Sequence, residues 1–518
     1  MIPTRKALIS ASLTAMALGF LPSRSSASPN VSLDDPVYEC LAALRALGVL
    51  RPYLGGLQPL TEQRVRALLE DVPGPTPLDW SSAPPRSIWI RALARALSKF
   101  SLFRDSSRDY SLPVRTRNIA GSVDISCERQ LGRPCGDGFG ALSELDSTVG
   151  IGDWVAGSIR LRAIAGSASY GADLQLARGY LNAQVDPVAV EVGRDVLSLG
   201  PSTRTQLTWG DNAPPLDHVR LSTSRPVDLL GAHGDLLRGN AVYVLGRLRA
   251  PQRYPGTLVS IGRLQFDILN NVEVGMAQML QLGGQGAPNL GFWDFLAEHV
   301  RRKDMSASDT DTSNRRVSFD VSFRVAALEG ARFYYEVAFE DWRKQFDDAL
   351  RYDADHLVGV DLEAIGPGRR HGLLVEVQKT GVRSQEHYPR TTGFTNAGKV
   401  VGSPLGPDAQ SIFVGGRVDL GWATVKPWLE VARFSSDTYA FVEYGPIYRT
   451  SSGPSEGRYR AGALVRVPLR DELRLEVEAM FEHASSFAFE PGERRENVGL
   501  TASVIWSAPG PLGTIGFR

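Results

Sequence analysis

From about residue 110 onward the apolar residues recur with a period of two, and this alternation constrains the fold more than any other feature. Val317, Phe319, Val321, Phe323 and Val325 alternate with Ser318, Asp320, Ser322, Arg324 and Ala326. Phe333, Tyr335, Val337 and Phe339 alternate with Arg332, Tyr334, Glu336, Ala338 and Glu340. Leu473, Leu475, Val477, Ala479 and Phe481 alternate with Arg474, Glu476, Glu478, Met480 and Glu482. A strand places successive side chains on opposite faces, so each run has one apolar and one charged face. Runs of roughly 9–11 residues match the length of a transmembrane β-strand. A soluble sandwich alternates too, so the pattern alone leaves both architectures open.

The connections between the runs separate the two. Every second connection is short: Asp186-Pro187, Leu269-Asn270-Asn271, Glu329-Gly330, Gly366-Pro367-Gly368, Gly421-Trp422 and Arg470-Asp471. The others are long, at about 198–215, 283–314, 341–355, 381–409, 436–457 and 484–496. Short turns at one end and long loops at the other are the pattern of an outer-membrane barrel. The stretch 224–239 is longer than this rule wants and 250–256 is shorter. The expected fold is mainly β, a large antiparallel transmembrane β-barrel of about 18 strands over 110–518. An even count returns the C-terminus to the side where the chain enters.

The first residues have a different character. Arg5 and Lys6, the apolar run Ala7–Leu21 and the small residues Ser25-Ser26-Ala27 form the three-part pattern of a secretory signal, cut after Ala27. The apolar run is shorter than a spanning helix needs, and no other run reaches that length. Membrane insertion would therefore require a closed barrel, in which each backbone polar group finds a partner. Residues 28–109 read as a small periplasmic helical bundle. Asp35-Pro36 starts a helix carrying Val37, Leu41, Leu44 and Leu47, which Gly48 ends. Thr61 caps a second with Val65, Leu68 and Leu69 inward, and Ser87 a third with Ile90, Leu93, Leu97 and Phe100.

Charge and cysteine content exclude several functions. Basic and acidic residues both number 57, and loss of Arg5, Lys6 and Arg24 with the leader leaves a net of −3. Nothing here attracts nucleic acid. Only Cys40, Cys127 and Cys135 occur, too few for a disulfide-built scaffold. Cys127 and Cys135 bracket a Gly/Pro-containing segment and read either as a local loop disulfide or as two free thiols, with Cys40 a buried helix residue. Metal-ligand spacings, GxSxG, HExxH and CxxC are all absent, so neither a metal nor a cofactor is expected and the chain reads as non-enzymatic. The stretch GPGRRHG at 366–372 lies between two alternating runs and is a hairpin turn rather than a phosphate loop. Glycine, 52 of 518, exceeds the average of about 7%, as many tight turns require.

Two elements carry suggestive chemistry. The polar strand faces place Arg160, Arg162, Asp361, Glu363, Glu376, Glu430, Arg466, Glu476 and Glu478 inward, which predicts a lumen of mixed charge. The loop region 204–225 combines Arg204, Trp209, Asp211, Asn212, Asp217, Arg220 and Arg225, and 288–303 adds Trp293. Aromatic faces pack on sugar rings, and Asp, Asn and Arg match sugar hydroxyls or acidic groups. These residues are the candidate glycan site. Trp209 reads equally as a sugar platform or as a residue of the interfacial aromatic belt, and Trp293 fits the belt better.

The helical start DDPVYECLAALRALGVL, the middle VEVGRDVLSLGPSTRTQLTWGDNAPPLDHVRLSTSRP, and Glu273-Val274-Gly275 with Gln278 and Gly283-Gly284 together resemble the Wzi family of capsule-assembly outer-membrane proteins. In the middle segment the resemblance rests on Gly193-Arg194, Gly200-Pro201, Asp211-Asn212-Ala213-Pro214 and Arg220. It implies an 18-stranded barrel with a periplasmic helical bundle, and a lectin-like role in holding capsular or extracellular polysaccharide at the cell surface. Expected partners are that polysaccharide, outer-membrane lipid and other capsule-export components. Two rival readings follow from the residues themselves: a porin or transport channel through the charged lumen, and a hydrolase using Asp217 with His218. One departure from outer-membrane custom is that Arg518 follows Phe517 at the terminus, after a last clear strand ending near Trp506.

Overall fold

The computed structural model describes residues 27–50, 55–70, 115–120, 133, 140–151, 155–166, 171–231, 236–288, 291–300, 313–340, 346–385, 390–441, 447–470 and 473–507. The proposed leader, the third helix at 87–100, Cys127, Cys135, the polar stretch 304–312 and the tail 508–518 lie outside the described residues.

Eighteen antiparallel strands form the ring. In chain order they are β1 (Arg115–Ala120), β2 (Gly140–Ile151), β3 (Val155–Gly166), β4 (Ala172–Val185), β5 (Val188–Asp195) and β6 (Leu216–Thr223). They continue with β7 (Leu237–Arg247), β8 (Leu258–Ile268), β9 (Val272–Leu282), β10 (Asn314–Val325), β11 (Ala331–Glu340) and β12 (Asp355–Ile365). The last six are β13 (His371–Lys379), β14 (Ala409–Asp419), β15 (Thr424–Ser435), β16 (Ser455–Pro468), β17 (Leu473–Ser485) and β18 (Arg494–Ser507). Each strand pairs with its sequence neighbours. The ring closes because β18 pairs with β1 (Ser507 opposite Arg115) and β1 pairs with β2 (Arg115 opposite Asp146). Closure leaves no bare strand edge.

Strand parity falls as the alternation predicts. On β10, Phe319 and Phe323 face outward and are exposed, while Arg316, Ser318, Asp320 and Ser322 face inward and are buried. Outward Leu174, Leu181, Val192, Ile412 and Leu500 extend the same apolar skin around the wall. No helix among the described residues is long and apolar enough to cross a membrane.

The short turns all lie at one end. Leu269 and Asn270 both have positive φ (55° and 57°), as do Glu329 and Gly330 (55° and 77°). Positive φ at two successive residues reverses the chain tightly, so three residues join Ile268 to Val272 and five join Val325 to Ala331. The 366–369 stretch is likewise a turn between β12 and β13, as expected.

Two helices of the N-terminal head are described, α1 (Val37–Ala46) and α2 (Glu62–Glu70). Asp35 Oδ1 accepts from the Val37 amide (3.0 Å) and Thr61 Oγ1 from the Arg64 amide (3.1 Å), so both predicted caps form. Val37, Cys40, Leu41 and Leu44 pack against Val65 and Leu68. The head is not simply apposed to the barrel, however. Asn30 enters the lumen, where its amide donates to Tyr180 Oη (2.6 Å) and its Nδ2 to Glu191 (2.6 Å) and Asp195 (2.9 Å). Arg178 and Arg220 donate back to Asn30. At the short-turn end Arg45 forms a buried ion pair with Glu273, and Arg324 donates to the Arg45 carbonyl (2.8 Å). Expected as an appended bundle, the described head is instead interlocked with the wall from inside, because its polar backbone and side chains complete the partner set of inward charges.

Candidate functional site

The long connections have two destinations. The segment 196–215, expected as an exposed loop, turns into the barrel instead. Ser198–Leu199 pairs with Leu57–Gln58 of the head, so head and loop meet inside the lumen. Trp209 is 2% exposed and packs with Leu197, Leu199 and Leu216, with Val244, Ile261 and Met279 of the wall, and with Phe394 and Val401 of the segment 390–405. Asn212 Nδ2 donates to the Val400 carbonyl, and Asn396 Nδ2 to the Pro214 carbonyl (both 2.8 Å). These two segments plug the long-loop half of the lumen. The plug has an apolar core because the inner face of β7–β9 is itself apolar (Val242, Val244, Val259, Ile261, Met279). That apolar inner face departs from the mixed-charge lumen expected above.

Elsewhere the inner wall is charged and paired. Arg263 grips Asp320 through two bonds (2.7 and 3.0 Å). Arg316 bonds Glu340 (2.7 Å) and Asp355, and its Nε donates to the Leu207 carbonyl of the plug (3.1 Å). Arg162 pairs with Glu144, Arg160 with Asp146, Arg417 with Glu363, and Arg466 with Glu476. Buried carboxylates and guanidinium groups are tolerable only when partnered like this. Between head and plug remains a cavity of about 590 Å³. Phe413 and Trp428 stack on its wall (6.2 Å between centroids), with the Arg204 guanidinium over Phe413 at 4.0 Å.

The sequence-derived candidates therefore disperse. Arg204, Trp209 and Asn212 are plug residues, and Arg204 pairs with Glu430 (2.5 Å). Asp211 lines the cavity. Arg220 faces inward on β6 and pairs with Glu191 (2.7 Å). Asp217 faces outward and pairs with Arg194 (2.5 Å). Arg225 pairs with Asp186 (2.6 Å) at the short-turn end, away from the long loops. Trp293, 78% exposed, lies on α3 (Phe292–Val300) in the long connection after β9. Exposure on a common external loop is thus corrected for all but Trp293 and, in part, Asp217. The reason is that sequence shows a loop's length and polarity but not whether an apolar inner wall waits to receive it. The pleat also splits the Asp217/His218 pair. His218 points inward, buried, with Nε2 3.0 Å from Glu191, while Asp217 points out, so the two cannot act on one substrate.

The long-loop end carries a cluster that sequence reading missed. The hairpin Thr438–Phe441 with Ile447–Ser451 sets Tyr439 opposite Arg449. Tyr352, from the connection before β12, meets Tyr439 edge-on at 6.1 Å, and Arg351 lies 5.2 Å over the Tyr352 ring. Tyr448 and Arg449 are exposed. Arg449 pairs with Asp437 (3.0 Å), and Tyr439 Oη donates to Asp408 (3.2 Å). Partial burial and the Asp408 carboxylate push the Tyr439 phenol up to about 12, so it stays a hydrogen-bond donor at neutral pH. The sequence signal was present, since tyrosines and arginines recur at 351–352, 439 and 448–449, but the residues are far apart in the chain and only folding unites them.

Among the described residues no group of three or more His, Cys, Asp or Glu is placed to hold a metal. The fold is similar to that of the Escherichia coli protein Wzi, which is described as an outer-membrane protein of group 1 capsule assembly and a carbohydrate-binding β-barrel. The TM-score is 0.68 at 15% identity, over 92% of this chain and 99% of that one. Two Pseudomonas aeruginosa proteins are more distant. OccD3 (OpdP) gives a TM-score of 0.45 at 12% identity over 77% of this chain and 92% of its own. OprD gives 0.44 at 10% over 79% and 95%. Comparison with curated protein sequences finds no match. The family model for capsule assembly protein Wzi matches residues 120–497, from the end of β1 into β18. With well over half of its length matched by that model, the chain belongs to the Wzi family of capsule assembly proteins.

Proposed function

We propose that this protein sits in the outer membrane with its head in the periplasm and its long loops outside, and that it binds capsular or extracellular polysaccharide by equilibrium contacts. The observation that carries the reading is the pairing of a plugged lumen with an aromatic and cationic cluster at the long-loop end, where Arg351, Tyr448 and Arg449 are exposed and Tyr352 and Tyr439 half-buried. The plug argues against passage of a polymer through the barrel. Tyr352 and Tyr439 supply faces for sugar rings, Tyr448 adds an exposed ring on the other face of the hairpin, and Arg351 and Arg449 supply donors for hydroxyl or carboxylate groups. A polymer offers many copies of one weak epitope, so many barrels engage it with avidity. No catalytic step is needed, and outer-membrane lipid and other capsule-export components remain the proposed partners beside the glycan.

The test is a Tyr352→Ala, Tyr439→Ala, Tyr448→Ala triple variant in the native host. The expected result is capsule shed into the medium at unchanged total polysaccharide and unchanged barrel abundance. Full capsule retention by this variant would overturn the rim as the binding surface.

A further inference from the structure

The helix α3 packs on the outside of the barrel, where lipid is expected. Directly opposed residues on antiparallel strands share a face. Val244, Ile261 and Met279 are opposed and point into the lumen. Their neighbours Tyr243, Ser260 and Gln278 therefore point out, as does Arg315, the neighbour of inward Arg316. The C-terminal turn of α3 covers these four outward polar groups. His299 Nε2 lies 2.7 Å from Ser260 Oγ and 3.1 Å from Tyr243 Oη. Gln278 donates to the His299 carbonyl (3.3 Å) and Arg315 to the Glu298 carbonyl. Ser313 donates to the Glu298 carboxylate (3.1 Å).

Both partners gain from this arrangement. Polar side chains on the lipid face of a barrel wall are unfavourable, and so are the unpaired carbonyls that end a helix. Each satisfies the other. Ser260 sits two residues from the long-loop end of β8, roughly 7 Å below the rim at strand spacing. The first turns of α3, on the N-terminal side of the clamped residues, carry Phe292, Trp293 and Leu296 at 68%, 78% and 43% exposure, with the Phe292 and Trp293 rings edge to face at 5.3 Å. This stripe is uncharged, and the outward row of the wall next to Gln278, formed by the opposed residues Leu264, Met276 and Phe319, is exposed and apolar.

We infer that α3 is an interfacial helix clamped to the outer wall, whose Phe292–Trp293–Leu296 face is seated in the acyl and headgroup boundary of the outer leaflet. An aromatic-rich amphipathic helix of this kind lies in the membrane plane. It fixes the depth of the barrel below the rim cluster. The inference rests on the membrane placement proposed above.

The experiment uses the full-length protein reconstituted into phosphatidylcholine vesicles, with and without bromine on the upper acyl carbons. Subtracting the emission of Trp293→Phe from that of the parent isolates the Trp293 contribution. Trp506→Phe serves as a reference, because Trp506 shares the outward parity of Val498, Leu500 and Val504 on β18. The expected result is loss of most of the Trp293 contribution in brominated vesicles, with aqueous iodide ineffective. Iodide quenching of Trp293 with no effect of bromine would overturn the inference, and protection by added polysaccharide would reassign the face to glycan. If the Trp506 contribution also resists bromine, the membrane placement itself fails. If Trp506 is quenched and Trp293 is not, only the role of α3 falls.

Discussion

Arg316 ties the plug to the wall, and its removal tests how the lumen is closed. The side chain is 1% exposed and bonds Glu340, Asp355 and the Leu207 carbonyl. Arg316→Met keeps much of its volume but leaves two buried carboxylates without their cation. Deleting one partner of a buried ion pair costs about 3–5 kcal/mol. Some partners remain: Asp355 still accepts from the Gly381 amide and Ser384 Oγ (both 2.7 Å), and Glu340 from the Gln385 amide. The lower figure, about 3 kcal/mol, is therefore expected, or roughly a hundredfold shift in a local equilibrium at 1.4 kcal/mol per decade. Because Arg316 holds Leu207, part of that shift should appear as plug opening. In planar bilayers the parent should show no steady conductance and Arg316→Met should show intermittent openings, with a lower thermal unfolding midpoint. Adding Glu340→Gln and Asp355→Asn should neutralise the stranded carboxylates and recover most of the closure. A single variant as silent and as heat-resistant as the parent would refute the reasoning, and so would a triple variant no better than the single.

Other predictions concern the head and the cysteines. Burial alone would raise the Glu39 carboxyl, but Lys426 and Arg466 outweigh it and hold it at about 2. A depressed acid stabilises the fold fully above its unfolded value near 4.5 and loses that contribution as pH falls toward 2, so the unfolding midpoint should drop across this window. Glu39→Gln should flatten the drop, which is worth about 1–3 kcal/mol. At Gly330, with φ of 77°, an added Cβ would lie 2.0 Å from the Ala46 carbonyl oxygen. Gly330→Ala should therefore undock α1, read as faster proteolysis within 27–70, whereas the exposed Gly492→Ala should not. Burial, reinforced by Glu39, pushes the Cys40 thiol up to about 12, so it should resist maleimide in the folded protein and react after unfolding. We also propose a Cys127–Cys135 disulfide. Mass spectrometry should find the two thiols linked before reduction, and free thiols would rule the bond out.

The barrel was legible because its information is local. A run such as Val317–Val325 shows which side chains share a face whatever the strand pairs with, and spacing between runs separates turn from loop. The caps at Asp35 and Thr61 are local in the same sense. The candidate site was not legible in that way. Trp209 looked like a loop aromatic because nothing near it in sequence reveals that Val244, Ile261 and Met279 turn an apolar face inward, or that Phe394 comes to meet it. Polar neighbours such as Asn212 gave no warning, since their partners are backbone carbonyls nearly 200 residues away.

What the sequence by itself determined is the eighteen-stranded wall, its two unlike ends and its helical start, because periodicity and turn chemistry act over a few residues. Only the tertiary structure decided that the head reaches through Asn30 into the lumen, that the segment 196–215 is a plug, that Tyr352 joins Tyr439 and Arg449 at the rim, and that α3 lies outside the wall. Each of these depends on matching a segment to a distant surface with complementary charge or apolar area. That complementarity exists only once the barrel has closed.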